Sequence, residues 1–159
     1  MKNIERYYKN TTDAKPNYTI KKFIELKIKP GNAIELGCGA GRDTVCLLKN
    51  GWNVTAIDKE NVESRIATKL EVEELKQFKF LNRKFEEIEL ENNNLVVANF
   101  SLPFCNKNDF EKISFYNDSF QVQIYHNNQI AVSSTYAYTS ITSITTTTSL
   151  YCFNIITTR

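Results

Sequence analysis

Three glycines at alternate positions, Gly37, Gly39 and Gly41, mark the part of this 159-residue sequence best suited to holding a ligand. The segment NAIEL before them is short and apolar and predicts a buried strand, whereas the residues after them have a helical pattern. Glycine tolerates positive φ and lets a ligand approach the backbone, and a helix start offers free N–H groups. The pattern therefore predicts a ligand site on a strand–loop–helix turn.

Two carboxylates flank this loop and narrow the class of ligand. Glu35 lies two residues before Gly37, where its charge would repel a pyrophosphate but attract an ammonium group. Asp58 ends the next predicted strand and can accept hydrogen bonds from a ribose diol. The dinucleotide motif G-x-G-x-x-G also needs its third glycine one residue later than it stands here. The residues favour a ribose-bearing cofactor with a cationic amino-acid end; the alternative is a plain turn followed by a solvated Asp58.

The elements that must position this loop alternate along the chain. Apolar periodicity predicts them, in chain order, as helix 18–27, strand 32–36, helix 41–50, strand 53–57, helix 61–77, strand 78–82 and strand 95–100. Strands that alternate with helices indicate a parallel α/β sheet with right-handed crossovers.

Composition limits the other classes of function. The net charge of +2 is too small to indicate a nucleic-acid partner or a membrane surface. No window approaches the roughly 20 apolar residues of a membrane helix, and the N-terminus lacks the apolar core of a signal peptide. The four cysteines have neither a C-x-x-C pair nor metal-ligand spacing, and His126 is the only histidine. We therefore expect reduced thiols, a cytoplasmic location and no metal site.

The composition changes abruptly after residue 112. Residues 1–112 carry 19 of the 20 Lys and Arg residues and 17 of the 18 Asp and Glu residues. Residues 119–159 carry a single formal charge, at Arg159. We therefore divide the chain into an α/β domain, 1–112, and an atypical Ser/Thr-rich segment, 113–159.

Two patterns stand out within this atypical segment. Residues 119–138 alternate with period two around Asn127 and Asn128, which predicts a β-hairpin. Twelve of the seventeen residues 133–149 are Ser or Thr, which is typical of a disordered tail or an edge strand. The hairpin is also a candidate for the antiparallel edge of the sheet; in either case we expect one edge of the fourth strand to be incompletely covered.

A family resemblance rests on three segments. The segment ELGCGAGRDTVCLLKNGWNVTAIDKE (35–60) resembles motif I and the post-I segment of class I S-adenosylmethionine (SAM)-dependent methyltransferases. Together with NFSLPFCN (99–106) and the opening IERYYKNTTDAKPN (4–17), it is similar to the tellurite-resistance-type small methyltransferases. The resemblance covers about residues 3–112. It implies a three-layer, Rossmann-like class I methyltransferase fold that is incomplete at the C-terminal side of the sheet.

The resemblance also implies a SAM site. Glu35 and the glycine loop would lie under the methionine part of SAM, Asp58 would hold the ribose, and the segment after the third strand would flank the adenine. The implied cofactor-binding residues are Glu35, Gly37, Cys38, Gly39, Gly41, Asp58, Phe85, Glu86, Asn99 and Phe100.

The end of the fourth strand and the first helix complete this implied site. Asn99 and Phe100 would face the sulfonium and the methyl acceptor. Tyr7 or Tyr8 would cover the cofactor, the alternative for each being ordinary packing. No catalytic residue is implied, because the sulfonium is already an activated methyl donor and a soft anionic acceptor needs no general base.

The function expected on these grounds is SAM-dependent methyl transfer to a small acceptor, an oxyanion such as tellurite by resemblance. One alternative is a non-catalytic, truncated or frameshifted remnant in which residues from about 113 onward are foreign to the family. A nicotinamide-dependent dehydrogenase is disfavoured by Glu35 and by the glycine spacing.

Overall fold

The computed structural model describes residues 2–84, 87–88, 93–99, 101, 120–126, 129–136 and 154–158. The helices are α1 Lys2–Thr11, α2 Tyr18–Glu25, α3 Arg42–Lys49, α4 Glu63–Ala67 and α5 Val72–Lys76. The strands are β1 Asn32–Leu36, β2 Asn53–Asp58, β3 Phe78–Asn82, β4 Leu95–Asn99, β5 Phe120–His126, β6 Gln129–Tyr136 and β7 Asn154–Thr158. None of the described helices is long and apolar enough to cross a membrane.

The main sheet has the strand order β3-β2-β1-β4-β7. Strands β1 to β4 are all parallel, which confirms the predicted α/β architecture. Ala33 of β1 has Val54 of β2 on one side and Leu95 of β4 on the other, so β1 is central. The order of parallel strands changes direction at the β1–β4 pair, and in open α/β sheets ligands bind outside the carboxyl ends of the strands at such a point.

The sheet is covered on both faces. Residues 33–36 of β1 and 95–98 of β4 are buried without interruption, as expected of parallel strands with helices on either side. Both core clusters, one with Phe23 of α2 and Val54 and the other with Tyr8 of α1 and Ala56, lie on one face, because Val54 and Ala56 are two residues apart on β2. On the opposite face Leu36 and Ile57 are fully buried as well.

Helix α2 begins at a side-chain cap. The side chain of Asn17 accepts a hydrogen bond from the backbone N–H of Thr19 at 3.1 Å, which satisfies one of the free donors of the first turn. Leu47 and Leu48 supply the buried apolar side of α3, whereas Val45 and Cys46 are only half-buried.

The prediction of one helix over 61–77 is wrong, because two short helices occupy this range. The first ends at Ala67, and Glu71 begins the second through a capping box with Glu74, in which the Glu71 N–H donates to the Glu74 carboxylate at 2.9 Å. Val62, Ile66 and Leu70 nevertheless reach the same core cluster. The apolar spacing therefore indicated the buried side correctly but concealed the break.

The expectation that β4 has an uncovered edge is also wrong. Strand β7 pairs with it antiparallel, from Asn99 opposite Asn154 to Leu95 opposite Thr158. β7 has the sequence NIITT, and such β-branched residues favour extended backbone, so this part of the segment predicted as a disordered tail is a strand.

The predicted hairpin range contains the antiparallel pair of β5 and β6, with Phe120 opposite Tyr136 and His126 opposite Gln129. Positions 127 and 128 lie outside the described residues. The two strands form a separate sheet, so they do not supply the antiparallel edge of the main sheet, and that alternative is wrong.

One lysine joins α1 to the glycine loop, and its replacement gives a first testable prediction. Lys69 Nζ donates to the carbonyl of Thr12 at 2.6 Å and to that of Ala40 at 3.0 Å. We expect Lys69→Met to lower the free energy of unfolding by about 1–2 kcal/mol, since bonds to a charged donor are lost while the apolar stem is kept. Hydrogen exchange of α1 should rise more than that of β1.

The control is Lys59→Met, which removes an exposed lysine directly after β2. Equal exchange of α1 amides in the two variants would contradict the role of Lys69.

Candidate functional site

The glycine loop connects β1 to α3 at the carboxyl end of the central strand. Gly37, Gly39 and Gly41 all have positive φ, at 72°, 55° and 76°. The N–H groups of Gly37 and Cys38 both donate to the carbonyl of Ile57 at 2.9 Å. The loop is therefore bound to the end of β2, and these two amides are not turned toward an anion.

Two of these glycines are also in close contact with other elements. A Cβ at Gly41 would collide with the side chain of Ile66, and a Cβ at Gly37 would collide with that of Ser101. At Gly39 a Cβ would meet only the Tyr7 ring and hydroxyl, at 3.6–3.7 Å. The first two positions keep the loop packed against α4 and the chain after β4, whereas Gly39 faces Tyr7.

Asp58, at the last position of β2, fixes the loop from the side. Its Oδ2 accepts from the N–H of Gly39 at 2.8 Å, and its Oδ1 accepts from the N–H of Glu60 at 3.0 Å. Asn82 of β3 donates to the Asp58 carbonyl at 3.0 Å. Each carboxylate oxygen has a second lone pair, so Asp58 can accept further hydrogen bonds from a diol while holding the loop.

Glu35 is buried, with an exposed fraction of 3%, and the hydroxyl of Thr44 donates to its carboxylate. Burial raises the pKa of Glu35 well above its ordinary value, and the nearby Asp43 raises it further. The bond from Thr44 and the charge of Arg42 act in the opposite direction but are weaker. The environment of Glu35 therefore disfavours its charged form.

Asp43, in the first turn of α3, is a second buried carboxylate and is 2% exposed. Its Oδ1 accepts from the backbone N–H of Asn17 at 2.6 Å, and its Oδ2 accepts from Asn99 Nδ2 at 2.8 Å. Asn99 Oδ1 accepts in turn from the hydroxyl of Thr19 at 3.2 Å. Asp43 thus connects α3, the start of α2 and the end of β4.

The two tyrosines of α1 have different environments. Tyr8 is buried in a core cluster with Cys38, Val62 and Ile66. Burial, and then Asp58 and Glu60, raise the pKa of Tyr8 above its ordinary value. Tyr7 is 53% exposed and packs edge-on against the Tyr8 ring at 5.6 Å. Tyr8 has the packing role that the sequence left as an alternative, and Tyr7 borders the loop.

Cys38 and Cys46 are free cysteines. Burial, and then the charges of Glu35 and Asp58, raise the pKa of the Cys38 thiol well above its ordinary value. Since the thiolate is the reactive form, this environment does not suit Cys38 to act as a nucleophile.

These residues surround one cleft. Its lining is Tyr7, Thr11, Glu35, Gly37, Cys38, Ala40, Arg42, Asp43 and Asn99. Among the predicted site residues, Gly39, Gly41 and Asp58 adjoin this cleft through the loop that they shape. Phe85, Glu86 and Phe100 lie outside the described residues. Within this lining Arg42 is the only basic residue, so the described part of the cleft is predominantly acidic.

Four residues of this region were not singled out from the sequence: Thr11, Arg42, Asp43 and Ser101. An acidic residue in a first helical turn is common for reasons of the helix dipole, so Asp43 gave no distinct signal. Ser101 is 6% exposed, and its Oγ has no hydrogen-bond partner among the described residues. A buried hydroxyl without a partner beside Gly37 fits a site that receives a polar ligand.

Solved structures that are similar to this chain in fold include a methyltransferase. The glycopeptide N-methyltransferase MtfA in complex with sinefungin has a TM-score of 0.55 and 19% identity, over 64% of this chain and 44% of that one. A second MtfA structure gives a TM-score of 0.54 and 14% identity, over 77% and 71%. MtfA in complex with SAM has a TM-score of 0.54 and 20% identity, over 64% of this chain and 43% of that one. The chain thus spans less than half of the first of these structures, and at these identities the likeness shows the fold alone.

The fold is therefore the Rossmann-like fold of class I methyltransferases. A search of curated proteins finds no match. The family model described as tellurite resistance protein TehB matches residues 2–153, and the chain belongs to this family. The match extends past residue 112, which speaks against the hypothesis that the segment beyond is foreign to the family.

Proposed function

We propose that this chain binds SAM in the cleft at the carboxyl ends of β1 and β4 and transfers its methyl group to a small acceptor. The observation that carries the proposal is the pair of buried carboxyls, Glu35 and Asp43, beside a loop whose Gly37 and Cys38 amides are already bonded to β2. Such a site suits a cationic amino-acid end and disfavours a pyrophosphate. TehB membership and the complex of MtfA with SAM support the same cofactor.

We assign the parts of the cofactor to these residues as follows. Glu35 and Asp43 face the methionine end, and Asp58 receives the ribose diol on its remaining lone pairs. Tyr7 covers the loop at Gly39. We also assign Phe85 and Glu86 to the adenine, and Asn99 and Phe100 to the acceptor side. Phe85, Glu86 and Phe100 are assigned on the family resemblance alone.

The contribution of the protein to the reaction is alignment. When bound, SAM supplies a methyl group that is already activated by the positive charge on sulfur. Asn99 is held by Asp43 and Thr19, so its position at the end of β4 is fixed before an acceptor arrives. Burial raises the pKa of the Cys38 thiol and of the Tyr8 hydroxyl, so both groups keep their protons and do not serve as bases.

For the acceptor we propose a small, soft oxyanion, of which tellurite is the example given by the family description. Its lone pair would form the new bond to the methyl carbon as the bond from sulfur breaks, so that no proton has to be removed. Arg42 is the basic residue of the described lining that could attract an anion into this acidic cleft. Free thiols in the described part of the chain are consistent with a cytoplasmic location, which we propose as well.

Calorimetric titration with SAM and with NAD tests the cofactor proposal. We expect binding of SAM and no heat from NAD, and binding of neither would overturn the proposal. Radiolabelled SAM with tellurite, selenite or a small thiol then tests the reaction. SAM binding without transfer to any acceptor would instead support the non-catalytic alternative.

A further inference from the structure

The described lining of the cleft contains two carboxyl groups and one basic side chain, so its negative charge is not balanced. Glu35 and Asp43 are 3% and 2% exposed, and both line the same cleft. Among the described residues Arg42 is the base that acts on both, and its Nε lies 3.9 Å from Asp43 Oδ1, at the outer limit of an ion pair. Two carboxylates withdrawn from water without a matched cation are costly, and one of them normally keeps a proton.

The two carboxyls differ in the hydrogen bonds that stabilise their charged forms. Asp43 accepts from two N–H groups, those of Asn17 and the Asn99 amide, and donors of this kind stabilise an anion. Glu35 accepts a single hydrogen bond among the described residues, from the hydroxyl of Thr44, so fewer donors stabilise its charged form. Glu35 is therefore the less compensated of the two carboxyls, in agreement with its raised pKa.

Few other charges face Glu35 among the described residues. Arg42 and Asp43 face it from α3, Asp58 faces it from the end of β2, and the Cys38 thiol lies on the loop. From α1, Tyr7 borders the same cleft with a neutral ring. A cation that enters the cleft would therefore be the main new positive charge beside Glu35.

We propose that Glu35 and Asp43 act as one receptor that holds a single proton when empty and releases it when the cationic end of SAM enters. The inference rests on the proposed function, since it concerns the same cleft and the same ligand. The entering charge compensates both carboxylates, so the proton that Glu35 held goes to solvent. The receptor then distinguishes the sulfonium of SAM from the neutral thioether of S-adenosylhomocysteine, because only the sulfonium adds a second positive charge to that of the α-ammonium group.

Calorimetry of the full chain in two buffers of different ionisation enthalpy measures the proton directly. At neutral pH we expect the wild type to release up to about one proton per SAM, and fewer per S-adenosylhomocysteine. SAM affinity should rise with pH over the range in which release is seen. SAM binding with no proton release would overturn this inference while leaving the proposed function intact, whereas absence of SAM binding would overturn both.

Isosteric variants assign the proton to its residue. Glu35→Gln should bind SAM without proton release, and its ratio of SAM to S-adenosylhomocysteine affinity should fall roughly tenfold from the wild-type ratio. Asp43→Asn should also lower that ratio. The matched control is Glu63→Gln, an exposed acid in α4, which should leave both quantities unchanged. Proton release that persists in Glu35→Gln would contradict the assignment.

Stability against pH gives a readout that needs no ligand. The pKa of Glu35 is higher in the folded chain than in the unfolded one, so the folded chain binds more protons between the two values and its stability falls as pH rises through the folded pKa. The wild type should therefore lose thermal stability as pH rises from the ordinary pKa of glutamate through the raised pKa of the folded chain, and Glu35→Gln should lose less. Parallel pH profiles of the two proteins would overturn the placement of the proton on Glu35.

Discussion

Asp58→Ala is expected to weaken SAM binding by roughly 100-fold or more, because each hydrogen bond to a charged group contributes about 1.5–3 kcal/mol. The substitution removes the acceptor proposed for the ribose diol. It also frees the N–H groups of Gly39 and Glu60, which Asp58 holds at 2.8 and 3.0 Å. The loop would then lose its attachment on the side of β2, so binding is reduced for two separate reasons. Calorimetric titration with SAM measures the effect.

Two further variants separate these reasons. Asp58→Asn keeps one acceptor oxygen for an N–H of the loop. We therefore expect it to lower the affinity for SAM more than it lowers the stability of the fold. Glu60→Gln changes the next acidic residue, which bonds to Asp58 through its backbone N–H, and is the matched control. Unchanged SAM affinity in Asp58→Ala would refute the role of Asp58 in the site.

Gly41→Ala is expected to lower the free energy of unfolding by about 2–5 kcal/mol. A left-handed conformation at a residue with a Cβ costs about 1–2 kcal/mol, and forcing a methyl group into a packed contact adds about 1–3 kcal/mol. Gly41 has a φ of 76°, and its Cβ would collide with the buried side chain of Ile66. Against a typical margin of about 5–15 kcal/mol, this loss is large enough to detect by urea denaturation.

Gly51→Ala is the control for this prediction. Gly51 has a similar φ of 84°, but its Cβ would meet only the Pro30 ring at 3.6 Å, an ordinary contact. It should therefore show the conformational cost without the collision. An equal decrease in the free energy of unfolding in the two variants would mean that the Ile66 side chain moves aside freely and that the loop is not fixed against α4.

The strands of the parallel sheet were predictable because their signal is local. NAIEL and LVVAN are apolar runs that are typical of strands buried on both faces. The glycines between the first strand and the helix indicate where the chain turns. The break at 68–71 was not predicted, because Leu70 continues the apolar spacing of Val62 and Ile66 across it. Glu71 and Glu74 have the spacing of a capping box, but glutamate is not among the usual first residues of that motif.

The site was predictable only where a backbone constraint or a motif marked it. The loop and Asp58 follow from glycine spacing and from the end of a strand. Asp43 acquires its role from Asn17 and Asn99, which lie 26 and 56 residues away along the chain, so no window around Asp43 contains that information. The raised pKa of Glu35 likewise depends on burial and on Asp43, which the fold brings to the same cleft.

The pairing of β7 with β4 has a consequence for synthesis on the ribosome. Asn99 and Asn154 are opposite each other but 55 residues apart, so β4 leaves the ribosome well before its outer partner is made. During that interval the parallel strands can assemble while the hydrogen-bonding groups on the outer edge of β4 remain unpaired, which favours association with other chains. The nascent chain therefore passes through a stage at which a chaperone that shields extended edges would raise the yield of folded protein.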